Sequence, residues 1–295
     1  MPPVTTPFDD AGSVDYDGLG RNIERYNRAG LSGYVALGSN GESVHLTADE
    51  RAKVITTVKR GSDGAPSPRT LVAGVNELST RAAIDAVRRA ADAGADAVLV
   101  ITPYFYKGAM TQEALFRHFI GVAESSPVPV LLYNVPQNTG LTIDPATVAS
   151  LAEHPSIVGI KESAGNTNIV SELIRLVPES FAVLAGSGGI LYPSLLLGAT
   201  GAILAVACIA PDACVDLYDA AHSGDMNRAR ELHNRIAPLS HIVTAGLGVA
   251  ALKAALDFAG FCGGVPRAPL VRLNDANLEK VKAMMLGSGL FPEMG

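Results

Sequence analysis

The chain contains no tryptophan, and aromatic residues make up only 5% of it. Alanine, glycine and small aliphatic residues abound instead, which suits helices packed closely on strands. Cysteine is scarce as well: Cys208, Cys214 and Cys262 form no CxxC pair and have no histidine cluster beside them. This excludes a disulfide framework and a structural zinc site, and no metal is expected. Positive stripes are missing, because 23 lysines and arginines face 29 acidic residues for a net charge of −6. Nucleic acid needs concentrated positive charge, so no such partner is expected. No apolar run reaches membrane length. The longest, 199–213, is broken by Gly201 and Pro211, so no membrane partner is expected. The opening Met-Pro-Pro-Val-Thr-Thr-Pro-Phe-Asp-Asp has no charged-then-apolar leader, and the expected location is the cytoplasm. No Gly-x-Gly-x-x-Gly opens a first helix, which weakens a dinucleotide-binding reading.

What is present is a core-forming composition: 48% hydrophobic and 18% charged over 295 residues. After Gly30 a rhythm sets in. Short apolar runs at 33–37, 70–75, 97–101, 128–133, 157–161, 181–185 and 201–205 alternate with longer amphipathic stretches. The segment 3–7 is a candidate first strand, weakened by its prolines. Thr47-Ala48-Asp49-Glu50 reads as a capping box opening a helix. Ala82, Ala83, Ala86, Val87 and Ala90 repeat at helical spacing and stop at Gly94. Further helices are expected over 111–124, 144–153, 166–177, 189–197 and 211–223. Such alternation implies parallel strands with helical crossovers, and continuous apolar strands imply burial on both faces. The expected fold class is α/β, a (β/α)8 TIM barrel, which takes about 250 residues. Past Ser223 the strands stop. Helices expected over 225–239, 246–259 and 275–285 form a C-terminal helical extension. The expected division is a barrel over 1–223 and a helical domain over 224–295.

In such a barrel the active site forms where strand C-termini meet their loops. Three strand ends carry chemistry. Lys161 ends Ser156-Ile157-Val158-Gly159-Ile160-Lys161. An amine shielded from water at that place favours the neutral, nucleophilic form that attack on a ketone needs. The competing reading is a lysine snorkelling to solvent. Tyr133 ends the preceding strand, where a phenol can shuttle protons, against the plainer reading of a core tyrosine. Gly38-Ser39-Asn40-Gly41-Glu42 follows the 33–37 strand. Its glycines let backbone amides and short side chains converge on an anion such as a carboxylate, although an ordinary glycine turn fits too. Glu42 reads as a brace for this loop. The six histidines are scattered and carry no site.

Taken in order, Gly38-Ser39-Asn40-Gly41-Glu42, Tyr133-Asn134-Val135-Pro136 and Gly159-Ile160-Lys161-Glu162-Ser163 resemble the dihydrodipicolinate synthase / N-acetylneuraminate lyase family. The likeness runs from Val4-Thr5-Thr6-Pro7-Phe8 through Thr102-Pro103-Tyr104 to Arg267-Ala268-Pro269-Leu270. It implies a barrel with C-terminal helices, a homotetramer or homodimer, and class I chemistry on pyruvate without metal or cofactor. By that likeness Lys161 forms the Schiff base, Tyr133 relays protons, and Ser39 and Asn40, with Gly41, bind the keto acid carboxylate. Ser163 is expected to orient substrate by analogy. Gly186, Ser187 and Ile203 are expected to line the pocket, and Glu162 to face away and matter little.

Within the family, synthases usually carry two threonines where Ser39 and Asn40 stand, an arginine where Asn138 stands, and an inter-subunit tyrosine where Phe105 or Tyr106 stands. The Gly-Ser-Asn-Gly-Glu loop, the Asn138-Thr139-Gly140 segment and Leu184-Ala185-Gly186-Ser187 look instead like 4-hydroxy-2-oxoglutarate and 2-keto-3-deoxy sugar acid aldolases. The expected function on those motifs is cleavage of a 4-hydroxy-2-keto acid to pyruvate and an aldehyde. The alternatives are condensation of pyruvate with aspartate semialdehyde, and a barrel that binds a keto acid without turnover.

Overall fold

A computed structural model of the protein describes residues 1–291; residues 292–295 of the expected helical domain lie outside it. Seven parallel strands pair strictly in chain order. They are β1 (Gly33–Ala36), β2 (Thr70–Val75), β3 (Ala97–Ile101), β4 (Val130–Asn134), β5 (Ile157–Glu162), β6 (Ala182–Ala185) and β7 (Gly201–Ala202). The helices are α1 (Tyr16–Tyr26), α2 (Ala48–Ser62), α3 (Thr80–Asp92), α4 (Gln112–Ser125), α5 (Pro136–Thr139), α6 (Pro145–Leu151), α7 (Thr167–Leu176), α8 (Leu191–Leu197) and α9 (Pro211–Ser223). Three more, α10 (Met226–His241), α11 (Gly248–Phe258) and α12 (Asp275–Gly287), follow without intervening strands.

The expected strand at 3–7 does not form as a strand; Pro3 makes only an isolated bridge to Val35. Pro2, Pro3 and Pro7 lack the amide that a ladder needs, so pairing survives only where a donor remains. Val4 N–H donates to Val35 O, Val35 N–H donates to Pro2 O, and on the other side Leu204 N–H donates to Met1 O. The N-terminal segment thus lies between β1 and β7. The β7 strand is shorter than expected because the chain winds into a tight turn at Ala205–Cys208. Helix α1 has no counterpart in the expected elements, although its signal is present: Asp15 caps it, and Leu19, Ile23 and Tyr26 recur on its buried face.

Strand alternation divides the interior in two. Val98, Val100, Val130, Leu132 and Ile160 join the large core between sheet and helices. Val35, Val72, Leu99, Ile101, Leu131, Tyr133 and Ile203 form a second cluster on the opposite face of the sheet. Each such aliphatic side chain contributes about 1.5–3 kcal/mol by leaving water. Both faces are therefore buried, as the continuous apolar strands require. The Thr47–Glu50 capping box is present, and Ala83, Val87 and Ala90 form the buried face of α3.

Candidate active site

Lys161 and Tyr133 are brought together by register. On β4 and β5, Tyr133 pairs with Lys161 as Leu131 pairs with Gly159. The period of two then puts both side chains on the sheet face away from the helices. Lys161 is 5% exposed, and its Nζ lies 4.4 Å from the centroid of the Tyr133 ring. A snorkelling lysine would reach solvent; this one does not.

Ser39 joins them from the turn after β1. Its Oγ is 3.5 Å from the Tyr133 hydroxyl, and Asn138 Nδ2 donates to the same Oγ at 3.4 Å. Asn138 arrives on α5, whose Pro136 starts the helix with its ring already at helical φ. Asn40 follows Ser39 at half-exposure, and Gly41 is buried, its carbonyl accepting from Thr6 Oγ1 at 2.8 Å.

The turn itself is tightly shaped. Leu37 and Glu42, both non-glycine, hold positive φ of 58° and 52°. Left-handed backbone is costly for such residues and persists only where surroundings hold it. Asn76 Nδ2 bonds Leu37 O at 3.1 Å and Ser43 Oγ at 2.6 Å. Gly74 of β2 packs so closely that an added Cβ would stand 2.2 Å from Leu37 O. Glu42 is 2% exposed, accepts from Arg267 N–H at 2.9 Å and pairs with Lys253 Nζ at 2.5 Å. The bracing role expected of Glu42 thus has partners that sequence spacing did not reveal.

Ser163 and Gly186 are brought together as well. A Cβ on Gly186 would sit 1.9 Å from Ser163 Oγ, so only glycine admits that hydroxyl. Ser163 Oγ is buried and has no hydrogen-bond partner among the described residues. Ser163 O accepts from Gln137 Nε2 at 2.6 Å. Ile203 packs in the same apolar cluster as Tyr133. Ser187 is half-buried and starts the turn Gly188–Ile190, and no hydrogen bond of its side chain is found among the described residues. Thr5 and Thr102 are missed candidates: both carry buried hydroxyls without partners among the described residues, and Thr102 directly follows β3. The strand-end rule that found Tyr133 would have found Thr102.

Glu162 faces away from Lys161, as expected, yet it is not inert. It is 1% exposed, and its carboxylate accepts from Asn134 Nδ2 at 2.7 Å and Ala164 N–H at 2.6 Å. Burial raises its pKa above the usual carboxylate range, against the pull of those hydrogen bonds. Asn134 Oδ1 in turn accepts from Ile143 N–H, so the pair ties β4, β5 and the chain before α6 together. Phe105 and Tyr106 stand exposed at 68% and 72%. A cavity of about 420 Å3 lined by Arg25, Arg28, Phe258 and Lys282 lies elsewhere, and no expected site residue lines it.

Chemically, a shielded amine beside a phenol, a serine hydroxyl and an amide can form an imine with a ketone and move its protons. The profile of the dihydrodipicolinate synthetase family matches residues 1–286. A 4-hydroxy-tetrahydrodipicolinate synthase of Methanothrix thermoacetophila is 42% identical over 97% of this chain and 95% of its own. Another from Neisseria gonorrhoeae is 39% identical over 97% of both chains. The crystal structure of the chloride-inhibited dihydrodipicolinate synthase of Acinetobacter baumannii, complexed with pyruvate, is 33% identical, covers 98% of both chains and superposes with a TM-score of 0.92.

These relatives correct the expected cleavage of a 4-hydroxy-2-keto acid. Chains 35–42% identical to this one are named 4-hydroxy-tetrahydrodipicolinate synthase, which favours the condensation reading. The physical reason for the error is that lysine–pyruvate enamine chemistry serves both directions. A few short polar side chains at Ser39, Asn40 and Asn138 do not decide which aldehyde the enamine meets. The chain belongs to the dihydrodipicolinate synthetase family, and with it to the pyruvate-dependent carbon–carbon lyases.

Proposed function

We propose that this protein condenses pyruvate with aspartate semialdehyde to 4-hydroxy-tetrahydrodipicolinate through a Schiff base on Lys161. The observation that carries the reading is the clustering of Lys161, Tyr133 and Ser39 at the ends of β4, β5 and β1, within a family whose relatives bear that name. The Lys161 amine attacks C2 of pyruvate. Tyr133 delivers the proton with which the carbinolamine loses water, and an imine forms. Loss of a C3 proton gives the enamine, which attacks the aldehyde carbon and makes the new C–C bond. The amine of the former semialdehyde then attacks C2, closes the ring and frees Lys161. Ser39 and Asn40, with the backbone at Gly41, bind the pyruvate carboxylate. Ser163, set against Gly186, offers its free hydroxyl to substrate, while Ser187 and Ile203 complete the walls.

The same reading takes the curled sheet as a (β/α)8 barrel, with the N-terminal segment in the eighth place. On that reading the barrel spans 1–223 and the C-terminal helical domain starts at 224. It also takes the protein as a cytoplasmic homotetramer or homodimer in which exposed Phe105 and Tyr106 meet a neighbouring subunit. Asn138 offers an amide where the family resemblance implies a guanidinium, so the second carboxylate meets a neutral donor. The test is incubation with both substrates, followed by mass spectrometry. The cyclic product is expected only when both are present. Intact pyruvate and semialdehyde after prolonged incubation would contradict the proposal.

A further inference from the structure

Lys253 is the least expected side chain in the molecule. It lies in α11, far along the chain from every strand-end residue, and it is 1% exposed. Its ammonium meets Glu42 Oε1 at 2.5 Å and donates to Val265 O at 2.6 Å, with the Phe8 ring centroid 4.3 Å away. Asp257, on the same helix, also acts on it electrostatically. Burial pulls this ammonium below its ordinary pKa, while the Glu42 carboxylate pulls it up. A lysine kept in so dry a place needs a fixed anionic partner. That partner is the residue that closes the Ser39–Gly41 turn in left-handed backbone.

Arg267 works on the same node. Its backbone N–H reaches the other Glu42 oxygen, and its guanidinium bonds Glu50, Gly12 O and His45 O. The His45 ring is 3.3 Å from that oxygen as well. Glu42 is thus gripped from the C-terminal segment at both oxygens, and its φ of 52° is held there. Two residues before it stands Asn40, and three before it Ser39, 3.5 Å from the Tyr133 hydroxyl. Glu42 thus closes the turn that carries Ser39 and Asn40, in a left-handed backbone conformation that is costly for a non-glycine residue and needs its surroundings to hold it.

We propose that Lys253 is a positioning residue for the keto acid: through its ion pair with Glu42 it sets the Ser39–Asn40 turn that receives the carboxylate. The proposal rests on the reading that this turn takes the pyruvate carboxylate. It makes the C-terminal helices part of the substrate site's geometry, although none of their side chains needs to touch substrate.

The test is borohydride trapping of pyruvate on Lys161 across a range of pyruvate concentrations, with steady-state kinetics beside it. The variants are Lys253→Met, Glu42→Gln and the two together. Each is expected to raise the half-saturating pyruvate concentration on the order of tenfold, because small misplacements of binding groups are felt that strongly. The double change should shift it no further than the larger single one, since both act through one contact. The KM for semialdehyde should move less than about twofold, since the turn holds only pyruvate. Should Lys253→Met fail to fold, the double variant carries the test, as it leaves no buried charge unpaired. A folded variant that melts earlier but traps pyruvate at wild-type concentrations would overturn the proposal. Wild-type protein that traps no pyruvate would overturn the functional reading and this proposal together, which separates the two failures.

Discussion

Tyr133 and Lys161 stand directly opposite each other on paired strands, beyond a register shift at Val130/Leu131, whereas Ser39 and Asn40 ride a turn held in uncommon backbone from far along the chain. The first pair is placed by strand alternation and by apolar packing on both faces of the sheet. The turn is placed by Gly74 beneath it, Asn76 beside it, and Lys253 and Arg267 behind Glu42. The difference divides the labour. On the proposed function the strand half supplies the reacting groups, and the turn half supplies binding groups whose position depends on distant residues. Damage to the strand half should therefore stop chemistry, and damage to the turn half should weaken pyruvate binding.

The sharpest break falls on the strand half. Lys161→Ala should abolish turnover and borohydride trapping while the far-UV spectrum stays unchanged; trapping that survives would refute the assignment. Tyr133→Phe comes next. Loss of a positioned proton relay costs about 10²–10⁴ in rate, so kcat should fall in that range with pyruvate binding little altered. An unchanged kcat would remove Tyr133 from the mechanism.

On the turn half, Gly74→Ala places a Cβ against Leu37 O and must displace the turn. It should raise the KM for pyruvate on the order of tenfold and destabilise the fold by about 1–3 kcal/mol, measured by steady-state kinetics and urea unfolding. A variant with native KM would show that the turn is not the carboxylate site. Asn138→Arg sharpens the contrast in the other direction. A guanidinium in that place should lower the KM for semialdehyde by about three- to tenfold and leave that for pyruvate nearly constant.

The smallest effect is on acid stability, where Glu50, the partner of Arg267, backs the turn half, and His118, on α4, lies outside both regions. Burial holds His118 down to about 4 from its ordinary 6.5. Between those values the unfolded chain takes up a proton that the folded protein refuses, so stability falls as pH falls through that window. Glu50, held down to about 2 from 4.5 by Arg267, contributes stability above 4.5 that is lost as pH drops toward 2. Urea unfolding at pH 7, 5.5 and 4.5 should therefore show decreasing stability, and His118→Gln should flatten the upper part of that slope.

The same comparison explains what the sequence made legible. Lys161 and Tyr133 could be found because each ends an apolar run, a local pattern. The order of β1 to β7 followed from strand–helix alternation for the same reason. Lys253 could not be found: within Gly-Val-Ala-Ala-Leu-Lys-Ala-Ala-Leu it reads as one polar position on a helix. Its partner lies in the first loop, as does that of Arg267, which is 225 residues from Glu42. Helix α1 was legible in principle, through Asp15 and the buried Leu19, Ile23 and Tyr26. The direction of the chemistry was not, because an enamine serves cleavage and condensation alike: the motifs at Ser39, Asn40 and Asn138 pointed to cleavage, whereas the synthase relatives favour condensation.

The account turns most directly on where pyruvate attaches. Wild-type protein incubated with pyruvate and borohydride, then digested and sequenced by mass spectrometry, should carry a carboxyethyl group on Lys161 and on no other lysine. Unmodified Lys161, or a modification lodged on another lysine instead, would contradict it.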